Sequence, residues 1–108
     1  MEITIDFATI KNWDEFHRVF SSVMGFPEFY GKNMDAWIDC MSYINDPDAG
    51  MSKLVVKTGE SLEINVAGTE DAFRQCPELF QAFLECTAFV NQRFIDSKDS
   101  TRVKIIAI

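Results

Sequence analysis

Residues 26–41, FPEFYGKNMDAWIDCM, decide how the chain folds. The first part is a loop, FPEFYGKN, punctuated by Pro27 and Gly31, residues that suit turns better than element interiors. Asn33 then stands where a helix N-cap is wanted, since its side-chain oxygen can accept from a backbone N–H of the first turn. Met34, Trp37, Met41 and Ile44 follow at i, i+3, i+7 and i+10. That spacing makes one buried helix stripe and turns Asp35 and Asp39 away from it.

Outward from this helix, NDPDAG (Asn45–Gly50) reads as a turn. Upstream, Asn12 or Asp14 caps a helix with apolar positions Trp13, Phe16, Val19, Phe20 and Val23, and Gly25 ends it. Glu2–Phe7 alternates Ile3, Ile5 and Phe7 with polar neighbours and reads as a strand. Downstream, Leu54–Lys57 and Ser61–Val66 read as two strands of a hairpin around Thr58 and Gly59. A short helical turn follows from Thr69, and Pro77 suits the first turn of a longer helix reaching about Phe94. Leu79, Phe80, Phe83, Leu84, Cys86, Val90 and Phe94 make that helix apolar over most of its circumference, so it is expected to be well buried. Val103–Ile108 closes the chain as a strand apolar enough to be central. The order β-α-α-β-β-α-β predicts a small α/β domain over residues 1–108. Its sheet is mostly parallel, of three or four strands, with helices packed against it.

The length of 108 residues suits one domain, and 47% hydrophobic residues, ten of them Phe, supply a core without disulfides or a structural metal. Cys40, Cys76 and Cys86 form no C-x-x-C pair and His17 is the only histidine, so no metal site is expected and no cofactor is called for. MEITIDF lacks the basic and apolar regions of a signal peptide, which makes a cytoplasmic location the expectation. Seventeen acids against ten bases give a net charge of −7. This disfavours a nucleic-acid binder, which must neutralise phosphates with Lys and Arg. Residues 1–48 hold nine acids and three bases and so carry −6 of that charge. An acidic half implies a cationic partner or serves solubility alone; composition leaves both open.

Asp35 and Asp39 stand four apart on one helix face, an arrangement that costs an isolated helix about 0.2–0.5 kcal/mol. The helix dipole compensates Asp35 in the first turn but helps Asp39 little. Two readings of this face stand: a solvated side opposite the apolar stripe, or an anionic cluster aimed at cations. Ile38 lies beside it as peripheral core or as an apolar interface contact. Phe29 and Tyr30 are core anchors or interface aromatics, and Glu85 is an isolated acid on the last long helix. No nucleophile–base pair, phosphate loop or metal motif is present, and His17 lacks an acidic orienter at a useful spacing, so no catalytic residue is assigned. Asp39 with Glu85 as an acid–base pair is the one enzymatic reading left.

The run P-E-aromatic-Y-G-x-N-hydrophobic-D-A-x-x-D-C within residues 26–41 resembles the barstar family of intracellular ribonuclease inhibitors. The ITID strand, Ile10 and the helix carrying His17 are similar too, as is the apolar helix followed by an Ile-rich strand. Residues 46–76 stand outside the likeness, with the hairpin as the apparent excess. The resemblance implies an immunity protein, not an enzyme, that plugs a nuclease active site with an acidic helix and the loop before it. Asp39 would take the place of the substrate phosphate, Asp35 would add a second carboxylate, and Glu85 would meet a peripheral basic group. Gly31 and Asn33 would be loop and helix-start contacts, with Phe29, Ile38 and Ser42 completing the partner-binding surface. Phe29 stands where the family often has Tyr, Ile38 replaces an aromatic, and Lys32 is basic where an acid is known. These departures bear on the partner's identity. The implied partner is a basic nuclease toxin, either a barnase-like ribonuclease or a related effector domain; neither nucleic acid nor membrane is bound directly. The alternative is a non-inhibitory interaction domain of the same fold that binds another basic protein.

Overall fold

The computed structural model describes all 108 residues. In chain order the elements are β1 (Glu2–Asp6), a 3-10 turn (Phe7–Thr9), α1 (Trp13–Met24), α2 (Met34–Ser42), a second 3-10 turn (Pro47–Ala49), β2 (Ser61–Ala67), α3 (Thr69–Gln75), α4 (Pro77–Asp96) and β3 (Arg102–Ala107). The three strands form one parallel sheet in the order β1-β2-β3. Ile3 lies opposite Ile64, Ile5 opposite Val66, and Leu62 opposite Val103. Side chains alternate across a strand, so Ile3, Ile5, Leu62, Ile64, Val66 and Val103 line one face and are buried there. The other face carries exposed Glu2, Thr4, Asp6 and Lys104. The molecule is therefore two layers, a sheet with helices on one side.

Local signals place the helix ends. Asn12 caps α1 by accepting from the Glu15 N–H at 2.9 Å, and Gly25 ends it in the left-handed region at φ 67°. Pro77 opens α4 within its first turn, where a missing N–H costs nothing. Phe16, Phe20, Trp37 and Phe83 are fully buried and pack ring against ring, and Phe7 from just past β1 joins Phe16 and Phe83 to complete the aromatic centre of the core. The Trp37 indole N–H has no acceptor among the protein groups around it.

Three expectations are corrected. No hairpin forms: residues 53–57 are irregular, and their backbone donors serve other elements. The N–H groups of Lys53 and Leu54 bond Met24 O, each at 3.1 Å, and the N–H of Val56 bonds Ile44 O at 2.8 Å. Both edges of β2 are taken by parallel neighbours, so Leu54–Lys57 has no edge to pair with. Second, β3 is an edge strand and β2 the central one. Ile106 and Ile108 face solvent, so the apolar ending did not report two buried faces. Third, α4 is buried along one stripe only: Leu79, Phe80, Phe83, Thr87, Val90 and Phe94. Leu84, Phe89 and Ile95 are exposed because no second layer covers that side. Ile44, assigned to the stripe of α2, is buried just past the helix end.

Candidate functional site: the acidic face of α2

The loop of residues 26–33 is fastened from below before it presents anything. Phe26 and Tyr30 are buried and their rings pack at 4.7 Å. The Tyr30 hydroxyl bonds His17 Nδ1 of α1. Burial lowers the His17 pKa and raises that of Tyr30, so the pair is neutral at both ends. His17 is thus a structural residue. Between these anchors Phe29 stands 77% exposed. Lys32 turns the chain in the left-handed region at φ 53°, a geometry that costs a side chain about 1 kcal/mol. Asn33 follows and caps α2: its Oδ1 accepts from the Ala36 N–H at 2.8 Å, and its Nδ2 donates to Gly31 O at 3.4 Å.

Trp37, Cys40 and Met41 fix the inner side of α2. Burial pushes the Cys40 thiol up to about 11, with Asp39 adding to the effect, so Cys40 is an inert packed thiol. Asp35 and Asp39 point outward and are exposed, and Ile38 is half-buried against the core edge. Ser42 donates to Ile38 O at 2.6 Å.

α4 lies beside α2 and widens this face. Glu85 is exposed and accepts from Gln81 Nε2 at 3.0 Å. The Cys86 thiol, on the α4 helix that packs against α2, is raised first by burial and then by the nearby charges of Glu85 and Asp35. Between the same two helices, Arg93 Nη1 donates to Asp39 Oδ1 at 2.8 Å. So Asp35, Ile38, Asp39, Ser42 and Glu85 fall on one surface, with Phe29, Gly31 and Asn33 in the loop feeding it.

Sequence reasoning missed Arg93 and Phe89 on this surface. Glu85, Phe89 and Arg93 stand at i, i+4 and i+8 on α4, a row outside its buried stripe that drifts round to the flank where Arg93 meets Asp39, and Phe89 is 64% exposed. That spacing was the available signal for the row, though not for the contact Arg93 makes with Asp39. No helix is long and apolar enough to cross a membrane.

No curated protein sequence matches the chain. A family model described as "Barstar (barnase inhibitor)" matches residues 1–106, the segment 46–76 included. With that match over almost the whole length, on a parallel sheet covered by helices and fronted by an acidic helix, the chain belongs to the barstar family.

Proposed function

We propose that this protein is an intracellular inhibitor, an immunity protein, that neutralises a basic nuclease toxin by laying α2 and its preceding loop into the toxin's phosphate-binding cleft. Membership of a family described as barnase inhibitors carries the reading, and the toxin it favours is a ribonuclease. Asp39 and Asp35 stand in for substrate phosphates among the toxin's cations, and Glu85 meets a basic group at the rim. Phe29 supplies a flat apolar contact beside them, and Ile38 and Ser42 fill the space between the carboxylates. Gly31 and Asn33 hold the loop against the cleft wall.

The physics of such a plug is electrostatic. Complementary potentials speed encounter, and a preformed face spends little free energy on ordering. The experiment is a titration into purified barnase with RNA cleavage as readout, at low and moderate salt. Stoichiometric inhibition that weakens as salt rises supports the plug. A folded sample that inhibits neither barnase nor related ribonucleases, yet binds a basic protein, assigns the chain to non-inhibitory recognition instead.

A further inference from the structure

Asp39, at the centre of the proposed face, already has a cation. Arg93 reaches it from α4, 54 residues away in sequence, and the same Nη1 lies 3.4 Å from Ser42 Oγ. Arg93 is the only basic residue in α2 or α4, so the two helices spend their one positive charge on this carboxylate. A cation in the last turn of α4 also suits that helix's dipole, but the dipole alone does not select Asp39 as a partner.

The geometry of the contact matters more than its presence. An arginine fork matches a carboxylate with two parallel bonds. Here one nitrogen meets one oxygen, and Oδ2 has no partner within the protein. The two side chains are 51% and 53% exposed, so water screens the pair. Such a contact neutralises Asp39 and holds its rotamer, yet it is weak enough to be exchanged.

We propose that Arg93 is a placeholder for the partner's cation: it occupies Asp39 in the free protein and is exchanged on docking for clustered cations that reach both carboxylate oxygens. This rests on the acidic face being the docking surface. An isolated Lys or Arg on another protein gains nothing at Asp39, because it replaces one screened ion pair with another. A cleft built to hold phosphate brings several cations and excludes water, and the exchange becomes favourable. Arg93 thus keeps the face silent towards singly basic surfaces.

The test is a double-mutant cycle of Arg93→Met and Asp39→Asn, with binding to an octa-arginine peptide and to barnase measured at low salt. Arg93→Met tightens peptide binding on the order of two- to five-fold while Asp39 is present, the range expected for freeing an exposed ion pair. In the Asp39→Asn background the gain is smaller, since only a distant positive charge is removed. Arg93→Lys, which keeps the charge and can still offer a single N–H to Asp39, stays close to the parent. Equal gains in both backgrounds, or weaker binding by Arg93→Met, overturn the placeholder. The two readings fail separately. Coupling with the peptide but no binding to barnase keeps the placeholder and rejects barnase as target, whereas barnase inhibition without coupling rejects the placeholder alone. Near-ultraviolet circular dichroism of each variant verifies that the fold is intact.

Discussion

Replacing Asp39 by alanine should separate binding from folding, and the structure supplies the stability side of the balance. Asp39 makes one ion pair, with Arg93, and both side chains are about half exposed. Pairs of that kind contribute about 0–1 kcal/mol. Against that loss, the substitution removes the like-charge contact with Asp35 four residues away, about 0.2–0.5 kcal/mol. It also replaces a mediocre helix former by the best one, a gain of up to about 0.7 kcal/mol. The opposing contributions nearly cancel, so Asp39→Ala should unfold within about 0.5 kcal/mol of the parent, in either direction.

Binding should respond on another scale. Truncating one partner of a desolvated charge pair costs about 2–5 kcal/mol, because the toxin's cations stay buried and unpaired. That range draws on measured complexes that include barnase with barstar, so it transfers a known magnitude to this chain. It corresponds to a roughly 30- to 4,000-fold rise in Kd at tenfold per 1.4 kcal/mol. Urea denaturation followed by Trp fluorescence gives the first quantity, and titration into the ribonuclease gives the second. The reasoning is refuted if Asp39→Ala loses more than about 2 kcal/mol of stability, or if inhibition survives the substitution unchanged.

Asn33→Ala removes the Oδ1 bond to the Ala36 N–H and should cost about 1 kcal/mol, whereas Asn33→Gly should cost only a few tenths; comparison of the two midpoints isolates the cap. At Gly68, φ is +71° and a Cβ would lie 2.6 Å from the backbone N of Ala8, so Gly68→Ala should destabilise by about 2–4 kcal/mol. Gly50→Ala, with similar φ but nothing within 4 Å, should cost no more than about 1–2 kcal/mol, and equal losses at both sites would show that the clash is not felt. The sign for His17 follows from its lowered pKa: below the ordinary value of 6.5 the unfolded chain binds a proton that the folded protein does not. Stability is therefore full at neutral pH and declines as pH falls below about 6.5, by at most about 1.4 kcal/mol per pH unit. Removing the imidazole in His17→Gln should flatten the profile between pH 5 and 7, whatever it does to stability overall.

What the chain revealed before folding was local. Asn12, Gly25, Asn33 and Pro77 act on backbone groups one turn away, and each does in the structure what its residue type predicts. The stripe of α2 was legible for the same reason. The hairpin was not, because a run such as Leu54–Lys57 becomes a strand only if an edge is free, and the edges of β2 were claimed by residues 2–6 and 102–107. Central and edge strands look alike when an edge strand carries isoleucines towards water, as Ile106 and Ile108 do. The outward stripe of α4 depended likewise on which layers exist to cover it. On the candidate face, the carboxylates of α2 could be read from their i, i+4 spacing, while the Arg93 contact joins residues 54 apart and leaves no periodic trace.

The same division explains why a short helix can serve as a rigid plug. Nine residues are too few to hold α2 as an isolated helix, so its order comes from packing. Trp37 sits fully buried beneath it, touching Phe16, Phe20 and Phe83, and the Asn33 cap closes the end where the loop enters. In the loop, buried Tyr30 is bonded to His17, and its neighbour Phe29 is consequently held out in solvent. An exposed phenyl ring is unfavourable in the free protein, and the anchoring on either side prevents it from collapsing onto the core. Asp35, Asp39 and Phe29 are thus presented by groups that cannot follow them outward. Substitutions at Trp37 or Tyr30, both buried, should accordingly weaken binding through a loosened face, and faster dissociation with the salt dependence of association unchanged would distinguish that loss of order from a loss of electrostatic attraction.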